Sequence, residues 1–168
     1  MMRKPPGIET GAIRTIPVLS VSPIEEDHLF LEAIFSNHSF WTLYADCKWK
    51  LHRSLSLESA LNALQENRIP IVICDGDVVC ESDLLPGTWK EMLARIKLLP
   101  TPPLLIVASR LADEYLWTEA LNLGAYDVLA KPFDSHELCR IVSFAWVPWN
   151  AKYPTSLPKP KVMAAYGT

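Results

Sequence analysis

The sequence predicts a doubly wound α/β domain, with helices on both faces of a five-stranded parallel sheet. Short apolar runs recur along the chain, helical patterns with explicit start signals lie between them, and the two kinds of segment alternate throughout. Parallel neighbours need crossover connections, and these are nearly always right-handed, so the alternation selects a layered sheet over a bundle or a sandwich.

Four of the strands read directly, because each is short, rich in branched residues and bounded by Pro, Gly or a polar residue. They are Ile16 to Val21, Ile69 to Cys74, Leu104 to Ala108, and Asp127 to Ala130. The second strand has two candidates, Trp41-Thr42-Leu43-Tyr44 and Trp49-Lys50-Leu51-His52. The latter is preferred, since it leads straight into a helical pattern from Ser56 to Gln65, which leaves Ser36 to Lys48 as an extended connection. Helix starts are marked by Ser22-Pro23-Ile24-Glu25, Thr88-x-x-Glu91 and Asp134-x-x-Glu137, each of capping-box form. Gly124 stands where the fourth helix should stop, as a residue that turns left-handed without penalty.

With 168 residues, the chain has the length of one domain. Residues 15–149 form that domain, between a flexible segment 1–14 that contains Pro5-Pro6-Gly7 and a proline-containing tail 150–168. Neither end is expected to hold an output domain. Hydrophobic residues are 49% and charged residues 21%, which argues against disorder, and the net charge of -3 with scattered Lys and Arg argues against direct nucleic-acid binding. No segment has the length of a membrane span or the pattern of a signal peptide, so a cytoplasmic protein is expected. The four cysteines, Cys47, Cys74, Cys80 and Cys139, make no C-x-x-C pair and read as reduced structural thiols.

In an open α/β sheet, ligands bind beyond the carboxyl ends of the strands. The polar residues there are Ser20 and Ser22, Asp75 and Asp77, Ser109, and Lys131. An acid, a hydroxyl and a lysine on three adjacent strand ends suit phosphoryl transfer: the carboxylate attacks, while the ammonium and hydroxyl bind the phosphoryl oxygens.

The run Ala120-Leu121-Asn122-Leu123-Gly124-Ala125-Tyr126-Asp127-Val128-Leu129-Ala130-Lys131-Pro132-Phe133 resembles the receiver domains of response regulators. The match is to their fourth helix, Gly-Ala-x-Asp turn, last strand and Lys-Pro-Phe ending, and the resemblance extends over roughly residues 15 to 147. It implies the CheY-like, or flavodoxin-like, strand order 2-1-3-4-5 and a cis Lys131-Pro132 bond. It also implies roles: Asp75 as phosphoacceptor for a sensor histidine kinase, Ser109 and Lys131 as ligands of the phosphoryl group, and Mg²⁺ as the metal.

Departures from the family pattern shape the expectation. The acid pair that holds Mg²⁺ at the end of the first strand falls on Ser20 and Val21, which leaves Asp75 and Asp77 as a weak metal site. Glu25, Glu26 and Asp27 are read as stabilising the positive end of the first helix rather than as ligands. The loop from Gly76 to Gly87 is longer than the family's turn. The switch aromatic is replaced by Val128, with Tyr126 nearby as a substitute.

The expected function is that of a single-domain receiver, not itself an enzyme. It would act in a phosphorelay through protein contacts, with Mg²⁺-dependent phosphorylation at Asp75 impaired. Its partners would be a histidine kinase or a downstream signalling protein, and residues 126–149 offer a face for homodimerisation. One alternative is a pseudo-receiver that signals without phosphorylation. Another is a flavodoxin-like small-ligand binder, which the glycine-free turn Ser20-Val21-Ser22-Pro23 disfavours.

Overall fold

A computed structural model describes residues 13–41, 47–77 and 89–154. Five strands alternate with five helices in chain order: β1 Arg14–Val21, α1 Glu25–Ser36, β2 Cys47–Ser54, α2 Leu57–Glu66, β3 Ile71–Asp75, α3 Trp89–Ile96, β4 Leu104–Ser109, α4 Glu114–Leu123, β5 Asp127–Ala130 and α5 Ser135–Lys152. All neighbouring strands pair in parallel, in the order β2-β1-β3-β4-β5.

Strand periodicity sorts the side chains into two cores, because successive residues point to opposite faces. Ile16, Val18, Ile71, Ile73, Ile106, Ala108 and Leu129 meet α1 and α5 on one face. Leu19, Val21, Val72, Cys74, Leu105, Val107 and Val128 meet α2, α3 and α4 on the other. Asp75 and Lys131 continue the α1/α5 parity, so they leave the sheet beside α1. That fixes which helix can reach them.

The second strand is the run around Trp49, as preferred. Trp41 instead follows a 3-10 turn at His38–Phe40, and it is buried against Phe35 and Trp49 with ring centroids 4.8 and 5.0 Å away. The connection is therefore not wholly extended, because burying these rings draws the chain back onto the sheet.

Helix ends follow their predicted signals in part. Asp134 accepts from the Glu137 N–H at 2.8 Å, and Gly124 closes α4 at φ +102°. The Ser22 box is corrected: α1 begins at Glu25, Ile24 is its N-cap without a side-chain bond, and the Ser22 hydroxyl turns to Asp27. The Thr88 box lies outside the described residues, as do Cys80 and most of the Gly76 to Gly87 loop.

β1 starts at Arg14, whose guanidinium donates to Asn150 at 3.3 Å, and α5 continues to Lys152 through Pro148. Proline lacks the N–H that would bond Phe144's carbonyl, but both residues lie on the exposed side of the helix, where that carbonyl is open to solvent. Among the described residues, no helix is long and apolar enough to cross a membrane.

Candidate functional site

The predicted site residues Asp75, Asp77, Ser109 and Lys131 meet at the carboxyl ends of β3, β4 and β5. Register brings them there: Asp75 pairs with Ala108 and Ser109 with Ala130, so the three strand ends lie nearly level. The Lys131-Pro132 peptide is cis, as the resemblance implies. Lys131 and Asp75 are both 8% exposed.

Lys131 Nζ lies 2.5 Å from Asp75 Oδ1 and 2.6 Å from Asp27 Oδ2, with Asp77 Oδ2 at 3.5 Å. Burial by itself would favour the neutral amine, but the hydrogen bonds and charges of Asp27 and Asp75 outweigh it and raise the Lys131 pKa above 10.5. Lys131 thus stands among these carboxylates as a charged ammonium.

Asp27 corrects the reading of the first helix turn. Rather than facing solvent at the helix end, its carboxylate is buried, accepts from Ser22 Oγ at 2.8 Å and pairs with Lys131. Glu25 does stay outside, bonded to Arg53 of β2 at 2.6 Å. The signal for Asp27 was present in the sequence: Asp27, Leu31 and Ile34 share one helical stripe, and all three are buried. His28 was also missed. It is completely buried, and its Nε2–H donates to the Ser22 carbonyl at 2.8 Å, which pins the turn between β1 and α1.

Asp77 is tied elsewhere. Its carboxylate accepts from the Ser109 hydroxyl and from the Arg110 N–H, 3.1 and 3.0 Å from its two oxygens. Burial opposes its charge, yet these bonds and Lys131 together hold its pKa below 3.8. Ser109 is therefore in the site as predicted, with its proton already committed.

Ser20 and Val21 occupy the strand end without joining this network. Val21 packs into the α2–α4 core, and Ser20 pairs with Ile73, below the level of Asp75. Val128 is buried in that same core, whereas Tyr126 packs against the opposite one. Tyr126 therefore does not stand in for the switch aromatic.

Beside Lys131 opens a recess of about 340 Å³ lined by Glu26, Asp27, Phe30, Arg110, Lys131, Pro132 and Phe133. The Phe30 and Phe133 rings, with centroids 6.1 Å apart, form its apolar wall.

The fold implies a divalent cation at this end of the sheet, and the residues do not fit one. Among the described residues, no group of three Asp, Glu, His or Cys side chains is arranged to hold a metal ion. The carboxylates that come nearest to such a set, Asp27, Asp75 and Asp77, point at Lys131 Nζ instead.

This geometry sits on a widely shared scaffold. Structures similar to this chain include the signal receiver domain of an HD domain-containing protein from Pseudomonas fluorescens Pf-5, at 24% identity and TM-score 0.64, covering 82% of this chain and 99% of that one. The receiver domain of a Francisella response regulator is 19% identical with TM-score 0.61, covering 79% and 98%. A two-component response regulator from Clostridium difficile is 16% identical with TM-score 0.62, covering 80% and 98%. The fold is that of a receiver domain. No family model and no curated protein matches the sequence. The receiver likeness thus lies in the shape of the core rather than in overall sequence.

Proposed function

We propose that this receiver-fold chain is a signalling domain of the two-component type, working through protein contacts, in which Mg²⁺-dependent phosphorylation of Asp75 is impaired. The observation that carries the proposal is the placement of Lys131 Nζ 2.5 Å from Asp75 and 2.6 Å from Asp27. Asp75 has the nucleophile's position and Lys131 can bind a phosphoryl oxygen. A dianionic phosphoryl group approaching a carboxylate needs further positive charge, however, and the acids that would hold a metal there are engaged by the lysine. Transfer can then proceed slowly or not at all.

The same contacts favour a second reading, a pseudo-receiver that signals without phosphorylation. Acetyl phosphate with Mg²⁺, followed by intact mass measurement, separates the two. A slow, incomplete phosphoryl adduct lost in Asp75→Asn supports the impaired receiver, and no adduct supports the pseudo-receiver. Rapid stoichiometric phosphorylation would overturn both.

A histidine kinase or a downstream signalling protein is the proposed partner, with direct nucleic-acid binding and catalysis of its own left out of the reading. The face for homodimers within 126–149 is narrower than the sequence suggests. In α5, Ile141, Val142, Trp146 and Trp149 are buried, leaving Phe144 and Val147 exposed; on α4, Trp117 and Leu121 are exposed as well. A single monomeric species across a concentration series in sedimentation would dismiss the dimer.

A further inference from the structure

Asp77 enters the phosphoryl-transfer reading only as a metal-site acid, yet its surroundings are those of a bound oxyanion. One carboxylate collects the Ser109 hydroxyl, the Arg110 N–H at 3.1 and 3.0 Å, and the Lys131 ammonium at 3.5 Å. A hydroxyl, a main-chain amide and an ammonium converging on one anion form the kind of donor set that recognises phosphoryl oxygens. The main chain delivers the carboxylate firmly, because the Gly76 N–H is bonded to the Ala108 carbonyl at 2.8 Å, one residue before Ser109. The hydroxyl has a single proton. While Asp77 accepts it, no phosphoryl oxygen can.

We propose that Asp77 is a built-in occupant of an oxyanion pocket: its carboxylate holds Ser109, Arg110 and Lys131 as a phosphoryl group would, and excludes tetrahedral oxyanions until it withdraws. The inference deepens the receiver-type reading, since it concerns the same strand ends. It adds a competitor inside the chain itself. The same hydroxyl fastens the turn from β4 to α4: the Leu111 N–H donates to Ser109 Oγ at 3.0 Å while Asp77 takes the hydroxyl's proton.

Amide hydrogen exchange followed by NMR on the full chain tests this, comparing wild type with Asp77→Ala, with and without inorganic phosphate at tens of millimolar. In Asp77→Ala the Arg110 amide should exchange about tenfold faster or more, the loss expected for a hydrogen bond to a charged acceptor. Phosphate should restore slow exchange in the variant and leave wild type unchanged, while Ile106 in the middle of β4 serves as the internal standard. Unchanged exchange in the variant would overturn the proposal, because the contact would then be absent in solution. Acceleration that phosphate does not reverse would also overturn it, reducing Asp77 to a tie within the loop. So would a wild-type protein that responds to phosphate as the variant does. If Asp77→Ala does not fold, Asp77→Gly likewise removes the carboxylate and is held to the same outcomes. No phosphoryl donor is used, so the result is independent of whether Asp75 can be phosphorylated.

Discussion

Replacing Lys131 with methionine removes the ammonium that Asp27, Asp75 and Asp77 share while keeping the length of the side chain. Asp75 and Asp27 both lie within 2.6 Å of Nζ and are almost fully buried, so the variant leaves two carboxylates in a low-dielectric site without the charge of Lys131. Breaking a buried pair in this way costs about 3–5 kcal/mol. Asp27→Asn should cost less, about 1–3 kcal/mol, because Lys131 keeps Asp75 and the amide can still meet Ser22. Urea unfolding at neutral pH measures both, and the double variant should be more stable than Lys131→Met alone, since one of the stranded charges is gone. Mg²⁺ should raise the midpoint of Lys131→Met, where the carboxylates are released to a metal, and leave that of wild type unmoved. A Lys131→Met variant within about 1 kcal/mol of wild type, insensitive to Mg²⁺, would refute the reasoning that the lysine fills the cation position.

Other consequences follow from single contacts. A methyl group at Gly76 would lie 2.8 Å from Val107 Cγ1 in the core, so Gly76→Ala should destabilise by about 1–3 kcal/mol in urea unfolding, and an unchanged midpoint would deny that packing. Burial pushes the Cys74 thiol up to about 12 and the Cys139 thiol up to about 11, so a thiol reagent at pH 8 should spare both in the folded protein and modify them on unfolding. Labelling of either at the rate of the unfolded chain would contradict this. The raised Lys131 pKa contributes stability that is complete below its unfolded value near 10.5 and is lost as pH rises through the higher folded value. The lowered Asp77 pKa contributes above 3.8 and is lost as pH falls through the folded value. Urea midpoints across pH should therefore show neither loss near neutrality, and Asp77→Asn should soften the acid limb. An acid limb identical to wild type would exclude the Asp77 contribution.

The sheet was legible because its strands are short branched runs with clear stops, and because Gly124 to Phe133 carries an unusual string of turn, strand and cis-proline residues. The choice between the two tryptophan runs also succeeded, since Trp49 leads into a helix with Ser56 as its cap. Asp27 was misread because acids in a first helical turn usually serve the helix dipole, and only the stripe shared with Leu31 and Ile34 turned it inward. Ser22 failed as a cap for a related reason: its hydroxyl is drawn to Asp27, a partner set by tertiary contact rather than local spacing. The bond from Ser109 to Asp77 spans two strand ends, and nothing in the spacing of 32 residues announces it.

Lys131 occupies the place a divalent cation would take beside Asp75. A Mg²⁺ titration of the wild-type protein, following the Asp75, Gly76 and Asp77 amide signals by NMR, tests it most directly. No saturable shift is expected up to about 10 mM, because the carboxylates are held by the ammonium and no metal-binding group of three is arranged among the described residues. Saturation at about 1 mM or below, centred on Asp75, would contradict it.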